Sequence, residues 1–276
     1  MGDNPYLQLY RDLKTLGIGY ERVPLSAALN EYAVRTGKSF LEGVFASPWT
    51  FQTLGIGKTV YSLKVATRVY GSWDVAKQYV VFMPQDFLAV FDRAVKEGRT
   101  VRLIVWDDAG VWIGRMRWLD KYVKAVKEFL NAIRTHCHHI IFTAPAAGEL
   151  VRGVREQLNL YTFITPYSES PPRSKATYVL KPFLDHYLKR KVVDHMTYYT
   201  FTRYFEHYPE YEQMRRKYVE IGLARMRVAL EEIVKEIKGI ADYINDTYKE
   251  IVVASSEEEE GEDFIKEYRL GSRLGF

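Results

Sequence analysis

Residues 52–59 read QTLGIGKT, and the fold that we predict for the chain follows from these eight residues. Its last three residues match the end of the phosphate-binding pattern G-x-x-x-x-G-K-[ST], in which backbone N–H groups curve around a phosphate. That curve requires glycine dihedral angles, and the helix that follows aims its N-terminus at the anion. Gln52 replaces the first glycine of the pattern, while Gly55 adds a glycine inside the loop.

The residues that flank the loop suit a strand, a loop and a helix in succession. The β-prone run ASPWTFQT leads into the loop, and VYSLKVATRVY follows it with the apolar spacing of an amphipathic helix that ends at Gly71. We predict that Lys58 lies between the β- and γ-phosphates of a bound nucleotide and that Thr59 is a magnesium ligand. The residues predicted to hold the nucleotide are Gly55, Ile56, Gly57, Lys58, Thr59 and Val60. The alternative is a glycine-rich turn that only caps a helix.

A second candidate element is RLIVWDD at residues 102–108, an apolar run that ends in two acids and follows the loop by about fifty residues. This is the pattern of a Walker B strand. We predict that Asp107 holds a nucleotide-bound magnesium ion through water and that Asp108 polarises the attacking water. A glutamate is the usual residue for this task. Because aspartate is one methylene shorter, it reaches less far toward the water, and we expect slow hydrolysis. The alternative is a pair of carboxylates that caps a helix at the strand end.

The next apolar run, HIIFTAP, ends its strand pattern at Thr143. A polar residue at this place is expected to contact the γ-phosphate or the catalytic water, although the β-propensity of threonine explains it equally well. Arginines near the two motifs could act as an arginine finger, in cis or on a neighbouring subunit, or could be solvated surface charges. The candidates are Arg115, Arg117, Arg152 and Arg155.

Strand and helix patterns alternate along the first two thirds of the chain, and the strand patterns are nearly unbroken apolar runs. Both features favour an α/β fold with a mostly parallel sheet and helices on both faces. Beyond the core we predict N-terminal helices and a C-terminal β and helical extension. The predicted divisions are an N-terminal helical segment (1–45), a nucleotide-binding core (46–168), an aromatic-basic extension with C-terminal helices (169–250) and an acidic, flexible tail (251–276).

Composition limits the remaining possibilities. The chain has 276 residues, a net charge of +4 and one cysteine, which excludes an internal disulfide and any multi-cysteine metal site. No apolar run is long enough for a membrane span, so we expect no membrane association and a cytoplasmic location. The chain contains few Asn and Gln residues and many charged ones, a balance reported for heat-adapted proteins.

Basic and aromatic side chains alternate in residues 173–205, and a helix pattern with a second basic face follows from residue 210. Basic groups neutralise phosphates and aromatic rings stack on unpaired bases, so residues 173–227 form a possible DNA surface. The alternative is a β-rich extension whose aromatic residues are core, followed by a helix that joins copies of the chain in a homo-oligomer. The groups in question are Arg173, Lys175, Lys181, Lys189, Arg190, Lys191, Arg203, Arg215, Arg216, Lys217, Arg225 and Arg227, with Tyr178, Phe183, Tyr187, Tyr198, Tyr199, Phe201, Tyr204 and Phe205.

Over residues 47–145 the chain resembles the P-loop NTPases of the RecA-like or AAA-like division, which have an added catalytic acid. More narrowly, KTVYSLKVATRVYGSWDVAKQYVVFMPQDF and RLIVWDDAGVWIGRMRW resemble ATP-binding proteins of archaeal viruses, plasmids and integrated elements. EYEQMRRKYVEIGLARM, at 210–226, resembles the closing helix of that group. The resemblance implies ATP and Mg²⁺ as cofactors and an ATPase tied to the DNA of a mobile element; the missing first glycine departs from it.

Three functions are compatible with these features. The first is a magnesium-dependent ATPase that acts in DNA processing. The second is an ATP-bound switch or scaffold with little turnover, which the departures at Gln52 and Asp108 favour. The third is a P-loop kinase of a small molecule; it requires a lid rich in arginines, for which Arg152 and Arg155 are available, but two acids after an apolar strand suit an ATPase better.

Overall fold

The computed structural model describes residues 5–19, 23–114, 136–181 and 198–221, together with scattered positions elsewhere up to residue 240. The helices are α1 (Pro5–Thr15), α2 (Leu25–Thr36), α3 (Lys58–Tyr70), α4 (Trp73–Ala76), α5 (Pro84–Lys96), a short helix at Arg152–Arg155 and a helical run over 208–221. The strands are β1 (Phe40–Ala46), β2 (Val80–Val81), β3 (Ile104–Trp106), β4 (His139–Thr143), β5 (Leu160–Glu169), β6 (Pro172–Leu180) and β7 (Tyr198–Thr202).

The chain divides into two compact units, Met1–Arg215 and Arg216–Phe276, and the site described below lies in the first. Arg115 and Arg117, Lys189 to Lys191 and the acidic tail lie outside the described residues. In the part of the chain that the structure describes, no helix combines the length and the apolar character needed to cross a bilayer.

The seven strands form one sheet in the order β2-β3-β4-β1-β5-β6-β7. The first five strands are parallel, while β6 and β7 are added antiparallel to β5. The predicted α/β fold with a mostly parallel sheet is therefore confirmed. The strand that ends at Thr143, β4, lies between β1, which precedes the loop, and β3, which precedes the two acids.

One strand prediction was wrong. The run before the loop, ASPWTFQT, is not a strand; β1 ends at Ala46, and residues 47–57 form an irregular loop. Pro48 has no N–H to donate and does not suit a central strand, whereas β1 is buried along most of its length between β4 and β5. Glu42 and Gly43 interrupt its apolar pattern. The sheet also crosses two predicted divisions, because β1 begins within 1–45 and β6 and β7 lie within 169–250.

Helices cover both faces of the sheet. Side chains alternate between the faces along a strand, so Glu42 and Phe45 of β1 point in opposite directions. On the Glu42 face, the Ser26 hydroxyl of α2 donates to Glu42 Oε1 at 2.8 Å. On the opposite face, the ring of Phe87 from α5 lies 4.6 Å from the ring of Trp106 in β3, centroid to centroid.

The parallel arrangement places the carboxyl ends of β1, β3 and β4 at the same edge of the sheet. Ligands of open α/β sheets bind at this edge. The loop after β1 runs along it, and Ile56 is fully buried, which anchors the loop to the core. Helix α3 then begins at Lys58, two residues before the predicted helical run that starts at Val60, and ends before Gly71, whose φ of 81° is left-handed.

Candidate nucleotide-binding site

Glycine is required at position 57 for two independent reasons. Gly57 caps the N-terminus of α3 with a φ of 94°, which L side chains rarely adopt. A Cβ there would also lie 3.2 Å from Arg203 Cγ and 3.3 Å from the ring of Phe201. Gly55 shares the positive φ, at 69°, but a Cβ there would meet only the amide nitrogen of Gln52, at 3.8 Å.

Comparison of Gly57→Ala with Gly55→Ala separates these two reasons. Gly55→Ala is expected to cost roughly 1–2 kcal/mol of stability, the usual cost of a left-handed alanine. Gly57→Ala should lower the melting temperature further, because Phe201 and Arg203 must also move. Thermal unfolding followed by circular dichroism measures both, and equal melting temperatures for the two variants would contradict the packing described.

Gln52 closes the start of the loop where the pattern has glycine. Its side-chain amide donates to the carbonyl of Leu54 at 3.1 Å, and its backbone N–H donates to the Thr50 hydroxyl at 3.3 Å. The side chain itself is exposed. The loss of the first glycine is therefore accommodated by bonds within the loop, without crowding from the core.

Asp107 lies fully buried at the end of β3, where its backbone N–H donates to the carbonyl of Val81 at 2.9 Å. Three hydroxyl groups donate to its carboxylate. Thr59 reaches Oδ1 at 3.1 Å, Thr143 reaches Oδ1 at 2.6 Å, and Tyr211 reaches Oδ2. The fold thus brings together the predicted metal ligands, Thr59 and Asp107, and the predicted γ-phosphate contact, Thr143.

Asp108 follows in a left-handed conformation, with a φ of 50° that is unusual for a residue other than glycine. Its backbone N–H donates to the Thr143 hydroxyl at 2.9 Å. Its carboxylate accepts from Arg215 Nη2 at 2.6 Å. The turn therefore separates the two acids: Asp107 is enclosed by hydroxyl groups, whereas Asp108 faces the cavity beside the loop.

A cavity of about 720 Å³ opens between the loop and the segment that precedes the 208–221 helix. This volume is in the range of small-molecule sites. Lys58 lines it and donates from Nζ to the carbonyl of Thr53. The lining residues are Leu54, Gly55, Ile56, Gly57, Lys58, Thr59, Val60, Asp108, Arg203, Tyr204, Phe205, Glu206, Tyr208, Pro209 and Arg215. All six residues predicted to hold a nucleotide are among them.

Burial is the largest influence on the pKa values of Asp107 and Lys58. It raises the pKa of Asp107, and the neighbouring Asp108 carboxylate raises that pKa further. Burial also lowers the pKa of Lys58, although Asp108 and Asp107 oppose this effect. The Asp107 carboxylate and the Thr59 hydroxyl lie side by side, and both offer the hard oxygen ligands that magnesium prefers. Thr59 and Asp107 therefore suit a divalent cation, whose charge would offset the buried negative charge.

Replacement of Asp107 by asparagine is expected to stabilise the fold at neutral pH. Since its folded pKa is raised, Asp107 stabilises the protein fully only below the pKa of an unfolded aspartate, and this contribution is lost as pH rises through the folded pKa. An asparagine side chain would keep the shape and remove the charge, and the Tyr211 hydroxyl can accept instead of donate. We expect Asp107→Asn to raise the melting temperature at pH 7, by about 2–4 °C for each kcal/mol that the buried charge costs.

The gain should shrink as pH falls toward the ordinary aspartate pKa, because both side chains are then neutral. Asp92→Asn, at an exposed position of α5, is the matched control and should change the melting temperature little at either pH. A lower melting temperature for Asp107→Asn at pH 7 would contradict the raised pKa.

Of the arginines considered from the sequence, Arg152 and Arg155 do not line the cavity. The Arg152 side chain is 82% exposed and pairs with Glu156 at 2.6 Å. Among the described residues, the arginines that line the cavity are Arg203 and Arg215, which the sequence placed only in a DNA surface. Arg215 and Tyr211 were missed as site residues. Their signal was the four-residue spacing within EYEQMRRKYVEIGLARM, which puts both on one helix face.

No protein-family model matches the chain. It is 28% identical over 214 residues to the uncharacterized protein B-251 of Sulfolobus spindle-shape virus 1, a match that covers 74% of this chain and 82% of that protein. It is 33% identical over 113 residues to the uncharacterized protein ORF286 of Acidianus two-tailed virus, which covers 40% of each chain. Both relatives come from archaeal viruses, in agreement with the narrower resemblance, and their names state no activity.

Among solved structures, the chain is similar to the N-terminal domain of zonular occludens toxin from Neisseria meningitidis. The TM-score is 0.38 with 12% identity, over 60% of this chain and 94% of that domain. A likeness at this level does not establish a common function. What the chain does must therefore be inferred from its own site.

Proposed function

We propose that this protein is a P-loop nucleoside triphosphatase that binds ATP with Mg²⁺ in the cavity beside the loop and hydrolyses it. One observation carries the proposal. The hydroxyl of Thr59, directly after the loop lysine, donates to Asp107 across 48 residues of sequence, at the edge of the cavity that Lys58 lines. A turn that merely capped a helix would need neither the buried acid nor the cavity.

Each residue has a role that its position supports. Lys58 and the first N–H groups of α3 would bind the β- and γ-phosphates. Thr59 and Asp107 would hold the magnesium ion, which neutralises the phosphate charge when bound. Asp108, on the cavity side, would accept the proton of the attacking water. Thr143 donates to Asp107 and accepts from the Asp108 N–H, so it would fix the two acids relative to each other.

The opposite wall of the cavity suits the nucleoside. It includes Tyr204, Tyr208 and Pro209, which offer aromatic and apolar surface to a base. The kinase hypothesis has less support, because Arg152 and Arg155, the arginines available for a lid, do not reach the cavity. The switch hypothesis retains one observation in its favour: Arg215 pairs with Asp108 at 2.6 Å, so the carboxylate already has a partner other than water.

Phosphate release from ATP tests the proposal. We expect steady-state turnover that depends on Mg²⁺ and stops when EDTA removes it. ATP bound without turnover would favour the switch. If the folded chain neither binds nor hydrolyses ATP or any other nucleoside triphosphate with Mg²⁺, the proposed function is wrong.

A role on DNA is a second proposal, and it is supported by one exposed contact. Lys175 Nζ lies 4.0 Å above the centre of the Tyr198 ring, and Tyr198 is 58% exposed. A lysine beside an exposed aromatic ring can contact a phosphate while the ring stacks on a base. Other aromatic residues of the predicted surface, Tyr178, Phe201 and Phe205, are buried and belong to the core, as the alternative interpretation expected.

The double variant Lys175→Ala/Tyr198→Ala is expected to bind single-stranded DNA roughly 5- to 100-fold more weakly, since stacking contributes about 1–3 kcal/mol per base. The dependence of DNA affinity on salt concentration should also become shallower, by the amount that corresponds to roughly one phosphate contact. Fluorescence anisotropy measures both quantities. Lys96→Ala, at an exposed position of α5, is the control. Unchanged affinity in the double variant, beside a wild type that binds DNA, would exclude this surface.

A further inference from the structure

The helix that begins at residue 208 contacts both acids of the candidate site. Tyr211 and Arg215 are four residues apart and therefore share one face of this helix. The Tyr211 hydroxyl donates to Asp107 Oδ2, and Arg215 Nη2 donates to Asp108 Oδ2 at 2.6 Å. Two side chains on one helix face thus hydrogen-bond to two consecutive carboxylates that lie about a hundred residues earlier in the sequence.

The two contacts differ in their access to the cavity. Tyr211 is fully buried, and its pKa is raised by burial and by the Asp107 carboxylate, so its hydroxyl remains a protonated donor. The Arg215 side chain is 43% exposed and lines the same cavity as Lys58 and Thr59. Burial lowers the pKa of Arg215, but the charges of Asp108 and Asp107, the Tyr211 hydroxyl and the hydrogen bond to Asp108 together raise it above its ordinary value.

We propose that Arg215 is the arginine that binds the γ-phosphate during hydrolysis, supplied by the chain's own helix, and that Tyr211 positions Asp107 for the metal ion. This inference rests on the proposed function. A guanidinium is permanently charged and presents a fork of donors that matches phosphate oxygens. Because Arg215 lies at the cavity surface, a triphosphate held by Lys58 competes with Asp108 for it.

The exchange has a chemical consequence for Asp108. When Arg215 turns to the γ-phosphate, the Asp108 carboxylate loses its hydrogen-bond partner and can accept from the attacking water. The oxygen of water then attacks the γ-phosphorus while a proton of that water passes to the Asp108 carboxylate. The bond from phosphorus to the β–γ bridging oxygen breaks, and ADP leaves with the electron pair. One arginine would thereby stabilise the charge on the phosphate and release the base.

Arg203 also lines the cavity, but its contacts indicate an anchor. Its Nη2 donates to Glu169 at 2.5 Å and to the carbonyl of Ser168 at 3.2 Å, and Nη1 lies 3.4 Å from the carbonyl of Gly55. Its side chain is only 13% exposed. These contacts tie the loop to β5. Of the two described arginines that line the cavity, Arg215 is therefore the one whose head group a ligand can reach.

The test compares Arg215→Ala and Arg215→Lys with Arg216→Ala, an exposed control one position further along the helix. We expect Arg215→Ala to lower kcat by about a thousandfold or more, with a much smaller change in KM. It should also fail to trap Mg-ADP with fluoroaluminate, although it still binds Mg-ATP. Arg215→Lys keeps the charge without the fork, so trapping should remain impaired even though that variant preserves the packing of the helix.

The outcomes separate this inference from the proposed function. If both Arg215 variants hydrolyse ATP and trap fluoroaluminate within about threefold of the wild type while Lys58→Ala is inactive, Arg215 has no role and the proposed function stands. If Lys58→Ala is as active as the wild type, the proposed function itself is wrong.

Tyr211→Phe tests the positioning role, because it removes one hydroxyl and keeps the ring. We expect the Mg²⁺ concentration for half-maximal activity to rise about tenfold or more, with kcat largely recovered at saturating metal. Binding of Mn²⁺ to the ADP complex, followed by electron paramagnetic resonance, should weaken to a similar degree. Tyr167→Phe, at an exposed tyrosine, is the control. Unaltered metal dependence in both measurements would show that Tyr211 only packs the helix.

Discussion

Lys58→Ala is expected to reduce kcat/KM for ATP by at least about 10²–10³-fold, the usual cost of one lost charge-stabilising donor. Lys58 is the described lysine that lines the cavity, and the charges of Asp108 and Asp107 act on its ammonium group. Without its ammonium group, a triphosphate would meet two carboxylates with less opposing charge. Both nucleotide affinity and turnover should therefore fall, which equilibrium binding and phosphate release measure separately.

Lys64→Ala is the matched control for this variant. Lys64 belongs to the same helix, but its Nζ donates at 2.8 Å to both oxygens of Thr202 and not into the cavity. The control should bind ATP like the wild type. Normal hydrolysis by Lys58→Ala would show that the loop is not the phosphate site.

Asp108→Asn should leave ATP binding nearly intact and lower hydrolysis by about 10²–10⁴-fold, the usual contribution of a general base. Asparagine keeps an oxygen that can accept from Arg215, so the local structure should survive. It cannot, however, take a proton from water. Single-turnover phosphate release isolates this step from nucleotide binding and product release.

Asp92→Asn on α5 serves again as the control, because it removes an exposed carboxylate that does not line the cavity. If Asp108→Asn turns over at the wild-type rate, Asp108 is not the base. Asp107 would then hold the metal without a neighbouring base, and Asp108 would have a structural role at its left-handed position.

Local sequence patterns were sufficient for much of the fold and for the residues at the sheet edge. The GKT triplet predicted the start of α3, because glycine dihedral angles and a helix N-terminus are properties of neighbouring residues. The acids were found by the same kind of pattern, an apolar run with a polar end. The strand before the loop was missed, because Glu42 is satisfied by partners such as Ser26 that no local pattern reveals.

Contacts between distant segments explain the remaining omissions. Tyr211 and Arg215 meet Asp107 and Asp108 only because the chain folds back over more than a hundred residues. In the aromatic-basic region, composition could not distinguish Tyr178, a core residue bonded to Tyr61 at 2.9 Å, from the exposed Tyr198. Both are tyrosines in strands, but Tyr61 of α3 covers Tyr178, whereas Tyr198 of β7 is exposed.

Isothermal titration of the folded chain with ATP, first in Mg²⁺ and then in EDTA, measures whether the loop binds a magnesium-bound nucleotide. The cavity beside Gly57, Lys58 and Thr59 predicts saturable binding of one ATP per chain, which weakens when the metal is removed. Heats equal to those of dilution in Mg²⁺, from protein whose circular dichroism shows the folded α/β structure, would contradict it.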